Sequence, residues 1–457
     1  MKNHLKSLLK KPDADYVEIR IEDSLTTRIS FTGPSLEDCS QNISFGGNVR
    51  ALVKGGWGFT TFNNLDELEM KIKEAILHAR NIGNRRNENL KLADVPIVDA
   101  VVPLDVKTDP AKISLTRKVE IIKNYNTMVL EFDKAITTST VRFFDKKKQL
   151  TFANSDGTFI STESIDLGFS AAAYVKNAEG SFFSYTTAGT SDDFNVVLGK
   201  DENVRKVCRD AIEISKVEQA KGGTYTVILD PLLAGVFIHE AFGHLSEGDN
   251  VFEDPNLQKV MVFGREFGMK NLNVSDSGLN RGVRGYMLYD DEGVATEKTC
   301  LIREGKLVGR LHSRETAAKM GEHPTGNARA LTFEYPPIPR MRTTVIEPGD
   351  APFDEMLKGI KIGMYCINAT GGETNGELFT FTPADAFMIR DGKIAERVRD
   401  VNLSGNVFET LKNIDMIGND FSITDGPGGC GKSGQYGLAT SEGSPHIRIQ
   451  NVVVGGK

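Results

Sequence analysis

The chain has 457 residues, 39% hydrophobic and 26% charged, with a formal net charge of -7. That length predicts two or three domains with cores of their own, and an acidic balance without a concentrated basic stripe argues against direct nucleic-acid binding. The lysine-rich opening MKNHLKSLLKKPDADYVEIRIED lacks the apolar core of a secretory signal, and no stretch approaches a membrane span. Cys39, Cys208, Cys300, Cys366 and Cys430, an odd number in a long chain, are expected to be reduced thiols of a cytoplasmic protein.

Residues 16–31 alternate in YVEIRIED and TTRISF, which predicts two short strands around Asp23 and Ser24. NVRALVK and WGFTTFN flank Gly55-Gly56 as a hairpin. Asn64, with Glu67 three residues on, then opens a helix whose apolar stripe (Leu65, Leu68, Ile72, Ala75, Ala79, Ile82) ends at Gly83. Residues 1–83 thus read as an N-terminal α+β unit. Residues 84–110, polar and then broken by Pro96, Pro103 and Pro110, read as a connecting segment. A middle α+β unit spans 111–222, with a helix over 114–132, strands near 135–144, 149–154 and 159–175, and a helix over 201–217. From 223 to 457 glycine density rises and strands and turns dominate, as in a β-rich catalytic domain. Strands and helices fall in separate blocks, so the fold class is α+β with antiparallel sheets.

The exception in the last unit is TYTVILD followed by a helix. Asp230 is placed to cap it, Pro231 suits its first position, and LLAGVFIHEAFGH continues it. His239, Glu240 and His244 supply what a metal-dependent hydrolase requires: two imidazoles to hold an ion and a carboxylate to take a proton from water. In the usual His-Glu-x-x-His spacing the imidazoles share a helical face. Here they are five apart, which on a regular helix separates them by about 140°. The helix is therefore expected to widen into a π-type turn or to end between them, yielding at Gly243. A His on an apolar helix is ordinarily a hydrogen-bonded core residue, and two in this frame beside a Glu weigh against that reading. For a third ligand the spacing leaves open Glu247 or a remote Cys, His or Asp. Cys39, Cys208, Cys300 and Cys366 sit in ordinary strand or helix sequence, whereas the glycines around Cys430 free its backbone to approach another segment.

GPGGCGKS, residues 426–433, also fits the phosphate-loop pattern. A true phosphate loop opens into a helix, but Gly434, Gly437, Gly443 and Pro445 occupy that stretch, so nucleotide binding is not expected.

HEAFGHLSEGD (239–249), YDDEG (289–293), LIREGKLVGRLHSRETA (301–317), TGNARA (325–330), PPIPRMRTT (336–344), ATGGETNGE (369–377) and GGCGKSGQ (428–435) together resemble the TldD/PmbA family of metallopeptidases. The likeness runs over nearly the whole chain. It implies that His239, His244 and Cys430 bind Zn²⁺ and that Glu240 is the catalytic glutamate. PmbA/TldE-type members lack the His-Glu-x-x-x-His signature and act as non-catalytic partners, so this chain is similar to the TldD-type subunit. The resemblance further implies unfolded peptides, including leader and antitoxin polypeptides, as substrates, and a homodimer or a heterodimer with a TldE/PmbA-type subunit.

On this reading Glu240 takes the proton from the attacking water and passes it to the leaving amine, while an extended peptide pairs with an exposed strand of the last domain. Arg329 and Arg340 are weighed as carboxylate-binding groups against structural ion pairs or solvated charges. His312, His323 and His446 are taken as ordinary polar residues, and Asp290, Asp291 and Glu292 as a solvated turn. The rival from another class is a peptide-holding partner subunit with a vestigial site, against which the retained Glu240 counts.

Overall fold

The computed structural model describes residues 1–86, 90–424, 426 and 428–455. After a short helix α1 (Lys2–Leu8) come three strands, β1 (Tyr16–Thr32), β2 (Ser35–Val53) and β3 (Gly56–Phe62), and the helix α2 (Leu68–Gly83). Then follow β4 (Asp99–Val102), α3 (Leu115–Leu130), β5 (Ile136–Asn154), β6 (Phe159–Asn177), β7 (Gly180–Thr190) and α4 (Asp201–Ile214). All seven strands form one sheet in the order β3-β2-β1-β5-β6-β4, with β7 also paired to β6.

Three expectations are corrected here. β1 is one continuous strand: Asp23 and Ser24 stay paired to Phe45 and Ser44 on one side and to Gln149 and Lys148 on the other. β5 likewise runs unbroken through DKKK, because neighbours on both sides satisfy its backbone while Lys146 and Lys148 turn to the polar face and Asp145 and Lys147, on the other face, are paired with Lys118 and Asp109. The connecting segment contributes β4, parallel to β6, and β7 adds a strand absent from the sequence reading.

The strand period sorts this sheet into two faces. Odd-numbered residues such as Val17, Ile19, Ile29, Val141, Phe143, Leu167 and Phe169 are buried under α2, α3 and α4. Even-numbered residues of β1 and β5, among them Glu18, Arg20, Glu22, Arg28, Arg142, Lys146 and Lys148, form a polar face turned towards the C-terminal part.

That part begins with β8 (Gly223–Leu229) and α5 (Pro231–Ile238). β8 pairs in parallel with the strand Ile362–Asn375 and antiparallel with Ile447–Gly455. Through Asn402–Asn406 and Leu378–Arg390 the pairing returns to Ile362–Asn375, closing a five-strand ring. Phe237 of α5 packs edge-on against Phe379 and Phe381 at this ring. A second sheet runs Lys306–Leu307, Lys298–Arg303, Val274–Ser277, Thr343–Ile346, Ser441–Ser444, Ser422–Thr424. α5 lies between ring and sheet, apolar on all sides because protein surrounds it. Among the described residues no helix is long and apolar enough to cross a membrane.

Asp290, Asp291 and Glu292, expected in a solvated turn, are buried at the seam between the first sheet and the C-terminal part. Asp290 accepts from the backbone N–H groups of Glu292, Val294 and Ala328, and Asp291 from that of Ala330. Glu292 receives Arg50 at 2.7 Å and the Arg314 N–H at 2.8 Å, and Arg50 also pairs with Glu18 at 2.5 Å. The charges are tolerated away from water because cations from β1 and β2 and directed N–H groups meet them.

Candidate metal centre

Asp230 caps α5 by accepting from the Leu233 N–H at 2.9 Å, and it also accepts from the Asn368 N–H. The α-helix stops at Ile238 and the backbone widens into a π-turn, His239–Gly243, closed by the His244 N–H donating to the His239 carbonyl five residues back. The wider turn cancels most of the angular offset that a regular helix would impose, and the two imidazoles stand 5.4 Å apart between ring centres, edge to face. Gly243 makes this possible: a Cβ there would lie 2.0 Å from the Met341 sulfur. A 3₁₀ turn, His244–Ser246, follows.

Cys430 arrives on a hairpin of Cys430–Lys432 and Gln435–Leu438. Its two-residue turn, Ser433-Gly434, has positive φ at both positions, the arrangement that matches strand twist. The sulfur lies 3.3 Å from His244 Nε2, and donor atoms of His239, His244 and Cys430 all fall within 4.8 Å of one another. Glu240 Oε2 is 3.7 Å from His244 Nε2. Of the residues singled out by sequence, His239, Glu240, His244 and Cys430 are therefore brought together.

No helix follows the glycine-rich loop, and Lys432 is fully engaged within the protein. Its ammonium lies 3.0 Å from Glu247 and 2.6 Å from Asp249, and donates to the Pro339 carbonyl. The loop that matches a phosphate-binding pattern thus carries Cys430 and a lysine that neutralises two carboxylates.

Glu247, one of the alternatives for third ligand, instead faces the far side of an imidazole: its Oε2 is 3.1 Å from His244 Nδ1. Glu442, which sequence reading missed, stands 3.4 Å from His239 Nδ1. Each histidine thus has a carboxylate behind it, the usual support for an imidazole that ligates through its other nitrogen. Nothing local in ATSEGSP signals Glu442; only the packing of strand Ser441–Ser444 on α5 brings it to His239.

The charges reinforce one another. Burial opposes ionisation of Cys430, but His239 and His244 outweigh it and bring the thiol down to about 5. Burial likewise opposes a charged His239, yet the Cys430 sulfur and then Glu442 push it up to about 9. His244 is raised well above its ordinary value against burial, chiefly by Glu247 and Cys430. Glu247 itself, despite burial, is held down at about 2 by Lys432 and His244. A thiolate between two imidazoles calls for a shared cation. The donor set and its spacing suit a tetrahedral ion such as zinc.

Several other residues find structural roles. Arg340 is wholly buried and donates to the Cys430 carbonyl at 2.8 Å; Arg329 donates to the carbonyls of Met341 and Ala439. Neither is free to receive a carboxylate. Arg284 joins Asp166 of β6 at 2.6 and 2.9 Å to the carbonyls of Gly426 and Gly428, fastening the loop ahead of Cys430 to the first sheet. His312 bonds Glu322 and Thr316, His323 lies beside Glu297, and His446 lies between Tyr365 and Asp420. Cys208 and Cys366 are buried, Cys39 is exposed on β2, and Cys300 lies on strand Lys298–Arg303.

A closed β-ring, a π-turn carrying His-Glu-x-x-x-His and a remote cysteine define a metallopeptidase. Models of the PmbA/TldA metallopeptidase domain 1, central domain and C-terminal domain match residues 17–79, 108–217 and 222–456, and the chain belongs to that family. It is 44% identical over 444 residues to a metalloprotease of Synechocystis sp., covering 97% of this chain and 95% of that relative. A metalloprotease of Methanothermobacter thermautotrophicus is 33% identical, with 97% and 96% covered. A zinc metalloprotease TldD homolog of Saccharolobus solfataricus is 28% identical, with 97% of each chain covered. Among solved structures, TldE from Thermococcus kodakarensis aligns with a TM-score of 0.75 at 18% identity, covering 100% of this chain and 99% of that one. At that identity the likeness concerns the fold.

Proposed function

We propose that this chain is a zinc-dependent, TldD-type peptidase of the cytoplasm that cleaves unfolded or leader- and antitoxin-type polypeptides. His239, His244 and Cys430 are the ion's ligands and Glu240 is the catalytic carboxylate. The observation that carries the reading is the convergence of two imidazoles, a thiolate and a free-standing glutamate at one point. When bound, zinc supplies Lewis-acid polarisation of a peptide carbonyl and activation of water. Glu240, on the same π-turn, is set to take the proton of that water at a carboxylate oxygen and to return it to the departing amine. Glu247 and Glu442 hold the imidazoles at their Nδ1 sides, and Lys432 keeps Glu247 ionised. In this reading residues 223–457 are the catalytic domain, and the working assembly is a homodimer or a heterodimer with a TldE/PmbA-type subunit.

Metal analysis of the purified protein together with peptide cleavage tests this. Stoichiometric zinc is expected, with cleavage falling by about 10²–10⁴ in Glu240→Gln while zinc is retained. A protein that takes up no zinc and cleaves nothing is instead a peptide-holding partner subunit.

A further inference from the structure

A cavity of about 1230 Å³ separates the polar face of the first sheet from loops of the C-terminal part. Gly428, two residues before Cys430, and Leu438, paired with Cys430 across its hairpin, are on its wall, so the cavity reaches the hairpin that carries Cys430. The facing wall carries Lys146 and Lys148, neighbours on the same face of β5 and both half-buried. Their cross-strand neighbours are Thr26 and Asp166 for Lys146, and Ser24 and Ser164 for Lys148.

Neither lysine is within ion-pair distance of a carboxylate among the described residues, although Glu22 and Asp166 act on Lys146, and Lys148 acts on Asp291, at longer range. Asp166 is gripped by both arms of Arg284, Glu22 lies 2.5 Å from Arg20, and Asp291 accepts from the Ala330 N–H and lies 3.8 Å from Arg20. Other carboxylates on the lining do not fill the gap. Asp105 is paired with Arg281, Asp38 shares a row of the sheet with Arg142 through Ser30, and Glu37 is at the same hairpin end; Glu163, one row from Lys148, forms no ion pair with it. Two like charges on one strand face repel each other, and burial followed by the Lys148 charge holds the Lys146 ammonium below its ordinary pKa. In a chain of net charge -7 this is a local cationic surplus that the fold leaves for something outside it.

We propose that Lys146 and Lys148 form an anion-reading subsite that makes this peptidase prefer polypeptide segments rich in Asp and Glu. The ammonium groups pair with side-chain carboxylates of a bound chain whose scissile bond lies across the cavity at the metal centre. The proposal rests on the peptidase reading for its catalytic consequence, but the binding it requires is measurable without turnover.

The test uses two unfolded peptides of equal length, one with several Glu and Asp residues and one with Gln and Asn in their places, each bearing a neutral dye. Anisotropy titrations use full-length Glu240→Gln protein with and without the pair Lys146→Gln and Lys148→Gln. The acidic peptide is expected to bind about tenfold more tightly than its neutral twin, with the difference shrinking as salt is raised, and the lysine pair of substitutions is expected to erase it. In the cleaving enzyme the same substitutions raise KM for the acidic peptide, leave its kcat unchanged and leave the neutral peptide unaffected. Equal binding of the two peptides, no binding of either, or a preference that survives the substitutions overturns the proposal. A preference for the acidic peptide in a protein that cleaves neither supports this subsite while removing the peptidase reading. Unchanged thermal unfolding of the Lys→Gln protein separates loss of the subsite from loss of the fold.

Discussion

Loading the metal centre is expected to expel more than one proton at pH 8, drawn from the imidazoles rather than from the thiol. With His239 raised to about 9, its imidazole retains about nine-tenths of a proton at that pH, His244 is shifted in the same direction by Glu247 and Cys430, and Cys430 at about 5 holds almost none. An ion that takes all three donors must displace the imidazole protons. Because both imidazole values are raised, the protons stay bound until the pH passes the raised values, so affinity climbs with pH by at least about tenfold per unit below the His239 value of about 9. Were the groups at their ordinary values, 6.5 for imidazole and 9.0 for the thiol, release at pH 8 would be about one proton, nearly all from the thiol. Calorimetric titration with Cd²⁺, in buffers of different ionisation enthalpy at constant pH, counts the protons. Cadmium favours thiolate and leaves its coordinated water protonated at this pH. In Cys430→Ser the count should fall, since His239 loses its main anionic neighbour while His244 keeps Glu247. A release near one proton in the unaltered protein would refute the thiolate–imidazolium arrangement.

Replacing Lys432 by Met should weaken zinc binding about 10–100-fold and destabilise the fold by about 3 kcal/mol, because it strips the buried Glu247 of its counter-ion; equilibrium dialysis and denaturant unfolding read the two effects. ATP affinity should be undetectable both before and after that change, as the ammonium is occupied by Glu247 and Asp249. Gly243→Ala should cost about 1–3 kcal/mol and lower zinc occupancy, since its methyl group would enter the space of Met341. Combining it with Met341→Ala should recover part of the metal binding, whereas additive losses would mean that the two side chains do not compete for this space.

Much of the metal centre was legible in one short stretch of sequence. Asp230 and Pro231 set where α5 begins, and the five-residue spacing of His239 and His244 by itself demands a departure from regular helix. Of the two departures the spacing allows, a widened turn or a helix end, the fold adopts the widened turn, which brings both rings together. Strand lengths were less legible: Asp23-Ser24 and the DKKK of β5 look like breaks, yet flanking strands on both sides hold their backbones in register. YDDEG reads as a turn bound for solvent, and its burial depends on arginines more than two hundred residues away.

The sequence by itself determined which chemical groups are present and how the first two of them are spaced along a helix, because capping, glycine placement and helical pitch are local properties. Tertiary structure alone decided that Cys430 meets them, that Glu442 rather than a sequence neighbour stands behind His239, and that Lys432 serves a buried carboxylate instead of a phosphate. Those pairings join residues about two hundred positions apart. They are selected by which sheets and loops can close around α5 with their buried charges compensated, a condition that no local pattern encodes.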